Sequence, residues 1–229
     1  MKTIGLIGGM SWESSLAYYR IINEATRGRL GDLHSAQVLL YSFDFAEIEP
    51  MQVAGRWDLA AARLVSAAQA LERGGADFFL LCTNTMHRVA DEVQRRVSIP
   101  LLHIADPTAE EIDKAGIRSV GLLGTRYTME EPFYRDRLSR RRELEVLVPE
   151  EGDRQVIHDV IYGELCRGQI REASRDGYRR IIERLVSAGA GGIVLGCTEI
   201  GLLVREEDAS VPLFDTARIH AVAAAEAAL

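Results

Sequence analysis

Two periods alternate along this chain. Short runs of mostly apolar residues at 3–8, 37–42, 76–82, 119–124, 144–148 and 192–196 are rich in Ile, Leu, Val and Phe, as strands buried on both faces are. Between them, apolar positions recur every three or four residues, the spacing of an amphipathic helix. Such stretches fall near 12–29, 58–73, 86–96, 107–115, 153–166 and 170–188, and from 216 onward. Strand and helix in alternation predict an α/β fold, parallel sheets with helices on both faces. Two further short strands are predicted at 101–103 and 211–214. The acidic segment from 43 through Pro50 has neither period and reads as irregular.

The pattern also repeats. TIGLIGGMSWESSLAYY at 3–19 matches SVGLLGTRYTMEEPFYR at 119–135, 116 residues later, and PLLHIAD at 100–106 echoes VPLFDTA at 211–217. A third pair is LLCTNT at 80–85 and LGCTEI at 195–200. Matched segments in the same order indicate an internal duplication. Two pseudo-symmetric α/β domains follow: residues 1–104 with 209–229, and residues 105–208. In such sheets ligands bind beyond the carboxyl ends of the strands, where both polar turns fall.

Composition narrows the chemistry. The 229 residues are 47% hydrophobic, enough for a sizeable core. A net charge of -7 with scattered arginines argues against a nucleic-acid partner, and the Arg-rich segment 135–142 reads as a solvated helix face. No apolar run reaches the roughly 18 residues of a membrane span, and the N-terminus opens directly on a strand. A cytoplasmic protein without membrane contact is expected. Cys82, Cys166 and Cys197 form neither a CxxC pair nor a metal spacing with the histidines, so no metal is expected and the thiols should be free. Lys2 and Lys114 are the only lysines, and neither lies in a motif, which disfavours a pyridoxal Schiff base. GLIGGM lacks the GxGxxG spacing of a dinucleotide site, so Gly8 and Gly9 read as a tight turn, with Ser11 or Ser14 capping the next helix. No cofactor is predicted.

The chemistry therefore falls to the two turns. A cysteine between a strand end and a helix start has its thiolate favoured by the helix dipole and nearby N–H donors. Backbone N–H groups of Asn84, Thr85 and Thr198 can hold a carboxylate and stabilise charge that develops when its α-proton leaves. Two such turns, each offering a proton acceptor, suit a racemase or epimerase. A buried cysteine at one strand end would by itself be an apolar filler; the pairing gives it meaning.

GGMSWES, CTNTMH and LGCTEI, with the duplication, closely resemble the cofactor-independent aspartate/glutamate racemase family over essentially the whole chain. The resemblance implies an active site in the cleft between the two domains, two opposed bases, an amino-acid substrate and a homodimer. It places Cys197 at the second catalytic position with Thr198 and Glu199 beside it. At the first, aligning Asn84 and Thr85 brings Thr83, not a cysteine, into register, as in a subgroup of the family. Residues one apart on a strand point to opposite faces, so Cys82 should pack while Thr83 faces the substrate. Two other arrangements stay open: a rotated backbone that uses Cys82, and a single-thiol enzyme of decarboxylase or isomerase type or a non-catalytic amino-acid binder. Met10, Ser11 and Thr125 fall at the two equivalent first-strand ends and should line the site, with Gln52 near it. The arginine and lysine that hold the distal carboxylate in the family's aspartate racemases are not reproduced. Cys166 stands at the lysine's position, and Arg167 beside it could clamp a carboxylate in bidentate fashion. His87 reads as a packing or capping residue, and Trp12 as a lid or packing residue.

Overall fold

The computed structural model describes residues 1–139 and 144–229, which divide into two compact units. The first comprises Met1–Ile104 with His220–Leu229, the second Ala105–Ile219.

In the first unit, β1 (Thr3–Gly8) leads into α1 (Trp12–Leu30), β2 (Gln37–Ser42), α2 (Phe45–Val53), α3 (Trp57–Arg73) and β3 (Phe78–Leu81). The sheet runs β2-β1-β3, all parallel. The predicted strand at 101–103 shrinks to a single parallel bridge between Phe79 and Leu101. Alternation along the strands separates two packed faces. Ile7, Phe79 and Leu81 join Ala61, Leu64, Ala68 and Leu71 of α3 in one core cluster, while Tyr18 and Ile22 of α1 are buried on their own helix face. Gly5 lets α3 close on the sheet, because a Cβ there would stand 3.0 Å from Leu71 and 3.1 Å from Phe79.

Two local expectations fail here. The segment through Pro50 is helical: Asp44 caps α2 by accepting the Ala46 N–H at 3.0 Å, and Pro50 lies inside the helix. The apolar period was too short to see. The helix predicted at 86–96 is instead a 3-10 segment, Thr85–Val89, followed by the one-turn α4 (Ala90–Gln94).

The second unit holds α5 (Ala105–Lys114), β4 (Ser119–Gly124), α6 (Arg126–Glu130), α7 (Pro132–Ser139), β5 (Glu145–Leu147) and α8 (Glu151–Gly163). A 3-10 turn (Leu165–Arg167), α9 (Glu172–Ser187), β6 (Ile193–Gly196), the short α10 (Ile200–Leu203), β7 (Leu213–Asp215) and α11 (Thr216–Ala228) complete it, the last passing back into the first unit. Its parallel sheet has the order β5-β4-β6-β7. That is the first sheet's order, with the Leu101 bridge standing where β7 stands, as the repeat requires. The predicted boundary at 209 differs: β7 hydrogen-bonds to β6, which keeps the chain in the second unit through Ile219. Of the Arg-rich segment 135–142, residues 135–139 belong to α7 and the rest lie outside the described residues.

Buried Asp208 braces this unit. Its carboxylate accepts from Arg175 Nε at 2.8 Å, Arg179 Nε at 2.5 Å and the Arg205 N–H at 2.8 Å, tying α9 to the loop after α10. Among the described residues no helix is long and apolar enough to cross a membrane, and no group of three His, Cys, Asp or Glu converges as a metal site.

Candidate active site

The ends of β1 and β3 are neighbours in the first sheet, so the GGMSWES and CTNTMH segments are bound together. Gly9 takes a positive φ of 82°, and a Cβ there would meet the Phe43 carbonyl oxygen at 2.1 Å, which confines the position to glycine. Its N–H donates to Ser15 Oγ at 2.8 Å, and Ser15 Oγ donates to the Ser11 carbonyl at 3.1 Å. Ser11 is the N-cap of α1, accepting the Ser14 N–H at 3.4 Å. Ser14 Oγ donates to the Cys82 carbonyl at 3.0 Å, joining the first turn to the second. Met10, Ser11 and Thr83–Thr85 are buried around this junction. Gln52 reaches it from α2, where its Nε2 donates to Met86 Sδ at 3.1 Å.

Cys82 is wholly buried, and loss of solvent pushes its thiol far above the ordinary range. It is an apolar filler in this conformation. The next backbone carbonyl, that of Thr83, accepts from His87 Nδ1 at 2.8 Å, and His87 Nε2 accepts the Ile104 N–H at 3.2 Å. These two partners fix the imidazole as the neutral Nδ1–H tautomer. His103 packs against it, ring centroids 4.3 Å apart. His220 donates from Nε2 to the Leu102 carbonyl at 2.8 Å and accepts Tyr18 Oη at 2.8 Å on Nδ1. His87 therefore clamps the Thr83 turn to the segment where the chain leaves the unit, a role larger than packing.

In the second unit, Thr125 ends β4 and caps α6, accepting the Thr128 N–H at 3.4 Å. Beside it β6 ends in Cys197, Thr198 and Glu199. The Cys197 thiol donates to Glu199 Oε2 at 2.9 Å, and Thr198 Oγ1 donates to the same oxygen at 2.8 Å. The expected dipole-favoured thiolate is not what this geometry gives. Burial, the Glu199 charge and the nearby Cys166 all push the Cys197 thiol well above its usual range. The helix after it, α10, is only four residues long, so it offers little dipole. Cys197 rests as a thiol.

Three participants have roles that the sequence reading did not give them, and one of them, His158, it did not name. Ser14 was weighed as a cap and instead fastens β3. Cys166, in the 3-10 turn after α8, reaches Cys197 electrically although 31 positions separate them. His158 accepts the Arg126 N–H at 3.3 Å next to Thr125, and burial followed by the Arg126 charge lowers its pKa. No spacing marks either of the last two; the helix α8 brings them. Arg167 is exposed at the end of the 3-10 turn, and Trp12 is exposed at the start of α1.

Comparison with known proteins comes down on the same side. Residues 7–224 match the family model for Asp/Glu/Hydantoin racemase. A Yersinia pestis structure proposed to be an Asp/Glu racemase is 55% identical, covering 100% of this chain and 99% of that one at a TM-score of 0.92. An aspartate racemase homologue from Pyrococcus horikoshii OT3 is 38% identical, with 100% and 99% covered and a TM-score of 0.85. The broad specificity amino-acid racemase RacX of Bacillus subtilis (strain 168) is 23% identical over 225 residues, 93% of this chain and 92% of that protein.

Proposed function

The chain belongs to the Asp/Glu/hydantoin racemase family and is an amino-acid racemase that works without pyridoxal phosphate; on that premise we propose that it is a cytoplasmic enzyme that interconverts the enantiomers of aspartate or glutamate. Thr83 and Cys197 exchange the α-proton on opposite faces of Cα. The observation that carries this reading is the Cys197 thiol donating to the Glu199 carboxylate at 2.9 Å in a buried strand-end turn.

That pair shares one proton. Substrate brings an α-ammonium, whose positive charge offsets the Glu199 charge that disfavours the thiolate, so the thiol proton can leave along the hydrogen bond to Glu199. The thiolate then takes the proton from Cα: the C–H bond breaks, an S–H bond forms, and the electron pair spreads into the substrate carboxylate. N–H groups of Asn84, Thr85 and Thr198 are suited to hold that carboxylate as its charge grows. The Thr83 hydroxyl supplies a proton to the other face as its O–H bond breaks, solvent returns a proton to its oxygen, and Glu199 releases the proton it took to solvent. Met10, Ser11, Gln52 and Thr125 shape the site, and Arg167 is the candidate clamp for the distal carboxylate.

A hydroxyl is a far weaker acid than a thiol, so one direction of the reaction runs faster. Incubation with L- and D-aspartate and L- and D-glutamate in D₂O tests the proposal. Deuterium at Cα together with appearance of the opposite enantiomer is expected; no exchange from any of the four ends it.

A further inference from the structure

Only Cys197, Thr198 and Glu199 separate β6 from α10, and α10 reaches back into them. The Ile200 N–H donates to the Cys197 carbonyl at 3.1 Å, and the Leu202 N–H donates to the Glu199 carbonyl at 3.0 Å. A shift of α10 therefore carries the thiol and the carboxylate with it. Ile200 and Leu203 are buried, so the helix is seated rather than loose.

The end of β7 grips this turn on both sides. Leu195, two residues before Cys197, pairs with Asp215 in the sheet, and its carbonyl accepts from the buried Thr216 Oγ1 at 2.8 Å. Past the turn, Asp215 Oδ2 lies against Gly201, where a Cβ would stand 2.9 Å from that oxygen. Non-bonded heavy atoms settle at about 3.5 Å or more, so a methyl group there would displace the turn or the carboxylate by roughly half an ångström. The carboxylate cannot simply swing away, because Oδ1 accepts the Arg218 N–H at 3.1 Å and strand pairing fixes the backbone behind it. Neither backbone nor burial calls for glycine here: residue 201 is exposed, helical and outside the positive-φ region, and glycine is a poor helix residue. The contact with Asp215 is what calls for it.

We propose that Asp215 and Thr216 are positioning residues for the racemase reaction, Thr216 holding the strand that enters the Cys197–Glu199 turn and Asp215 setting where α10 stops as it leaves. They act through the turn, and the assignment rests on the reading of Cys197 and Glu199 as the working pair.

Gly201→Ala should lower kcat about 10- to 100-fold, since a misplacement of about 1 Å can cost ~10²-fold, while KM stays within ~3-fold. Alkylation of Cys197 by iodoacetamide should quicken in the same variant, because Glu199, drawn off the thiol, no longer disfavours the thiolate as strongly. Asp215→Ser removes Oδ2 and leaves a hydroxyl to accept the Arg218 N–H. Alone it should also slow turnover; combined with Gly201→Ala it should return kcat to within ~3-fold of wild type, as coupled groups in contact do. General damage to the fold would instead accumulate in the double variant. Thr216→Val should lower kcat about 10-fold and Thr216→Ser should recover it. Wild-type kcat and alkylation in Gly201→Ala, or a double variant no better than the single ones, overturns the role of Asp215. Wild-type kcat in Thr216→Val, or a loss that Thr216→Ser shares, overturns that of Thr216. Alkylation needs no turnover, so the Gly201 and Asp215 variants decide the positioning of Cys197 even if neither aspartate nor glutamate is racemised.

Discussion

Glu199→Gln sets two consequences of one geometry against each other. The carboxylate does two things to Cys197: its charge raises the thiol pKa, and its oxygen, 2.9 Å away, is where the thiol proton can go. The amide keeps the shape and removes both. Without the charge, a larger fraction of Cys197 is thiolate at any given pH, so the free enzyme should alkylate faster with iodoacetamide. Without the acceptor, the proton must leave to solvent, and the charge-assisted bond that stabilises the transfer is lost. Such a bond is worth about 1.5–3 kcal/mol, so kcat at neutral pH should fall roughly 10- to 150-fold. The pH profile should change with it: the wild type passes its proton internally and is flat near neutrality, while the variant should regain rate as pH rises. A damaged fold would also speed alkylation and lower kcat, but it would open buried Cys82 to alkylation as well, which the specific effect does not. Slower alkylation of Cys197 in the variant, or wild-type turnover, refutes the reasoning.

Thr83→Val should keep α-proton exchange with solvent from one enantiomer, through Cys197, while losing racemisation; nuclear magnetic resonance in D₂O with chiral chromatography separates the two, and full racemisation would remove Thr83 from the mechanism. Cys197→Ser should cost about 10²–10⁴ in kcat, whereas Cys82→Ala should keep turnover and lower the melting temperature, because Cys82 only fills space. His87→Leu leaves the Thr83 carbonyl and the Ile104 N–H without their ring partner, a loss of about 1–3 kcal/mol per group in denaturant melts together with reduced kcat; unchanged kcat would limit His87 to folding. Burial by itself would raise the Asp208 carboxyl, but hydrogen bonds from Arg175, the Arg205 N–H and Arg179 outweigh it and hold the pKa at about 2. Its folded pKa lies below the ordinary aspartate value of 3.8, so its contribution is full above that pH and lost as pH falls toward 2. Asp208→Asn should lose about 3 kcal/mol at pH 7 and flatten the acid limb of the melting curve; an unchanged acid limb would contradict the assignment.

Much of the fold was legible because the signals are local. β1, β2 and β4 occupy the predicted residues, since apolar runs bounded by Gly or polar residues leave little choice of ends. The duplication was legible in the same way, and the matching strand order of the two sheets follows from it. Where signals were short, the reading failed. Nine residues with an internal proline concealed α2, and the helical period after His87 concealed a 3-10 segment that only the neighbouring packing selects. The edge strand at 101–103 needed a partner to be a strand, and it found one bridge.

By itself the sequence determined the α/β class, the repeat, the family and the two turns, because each rests on residue type and spacing within one segment. The electrostatic state of Cys197 was decided only in three dimensions. A strand end before a helix suggested an easy thiolate; a four-residue helix, burial and a carboxylate at 2.9 Å hold the proton on instead. Likewise the sequence showed His87, Ser14 and Cys166 without their partners, which lie 17, 68 and 31 positions away at Ile104, Cys82 and Cys197. Charge, desolvation and hydrogen-bond direction depend on what stands within a few ångströms, and that neighbourhood exists only once the strands have paired.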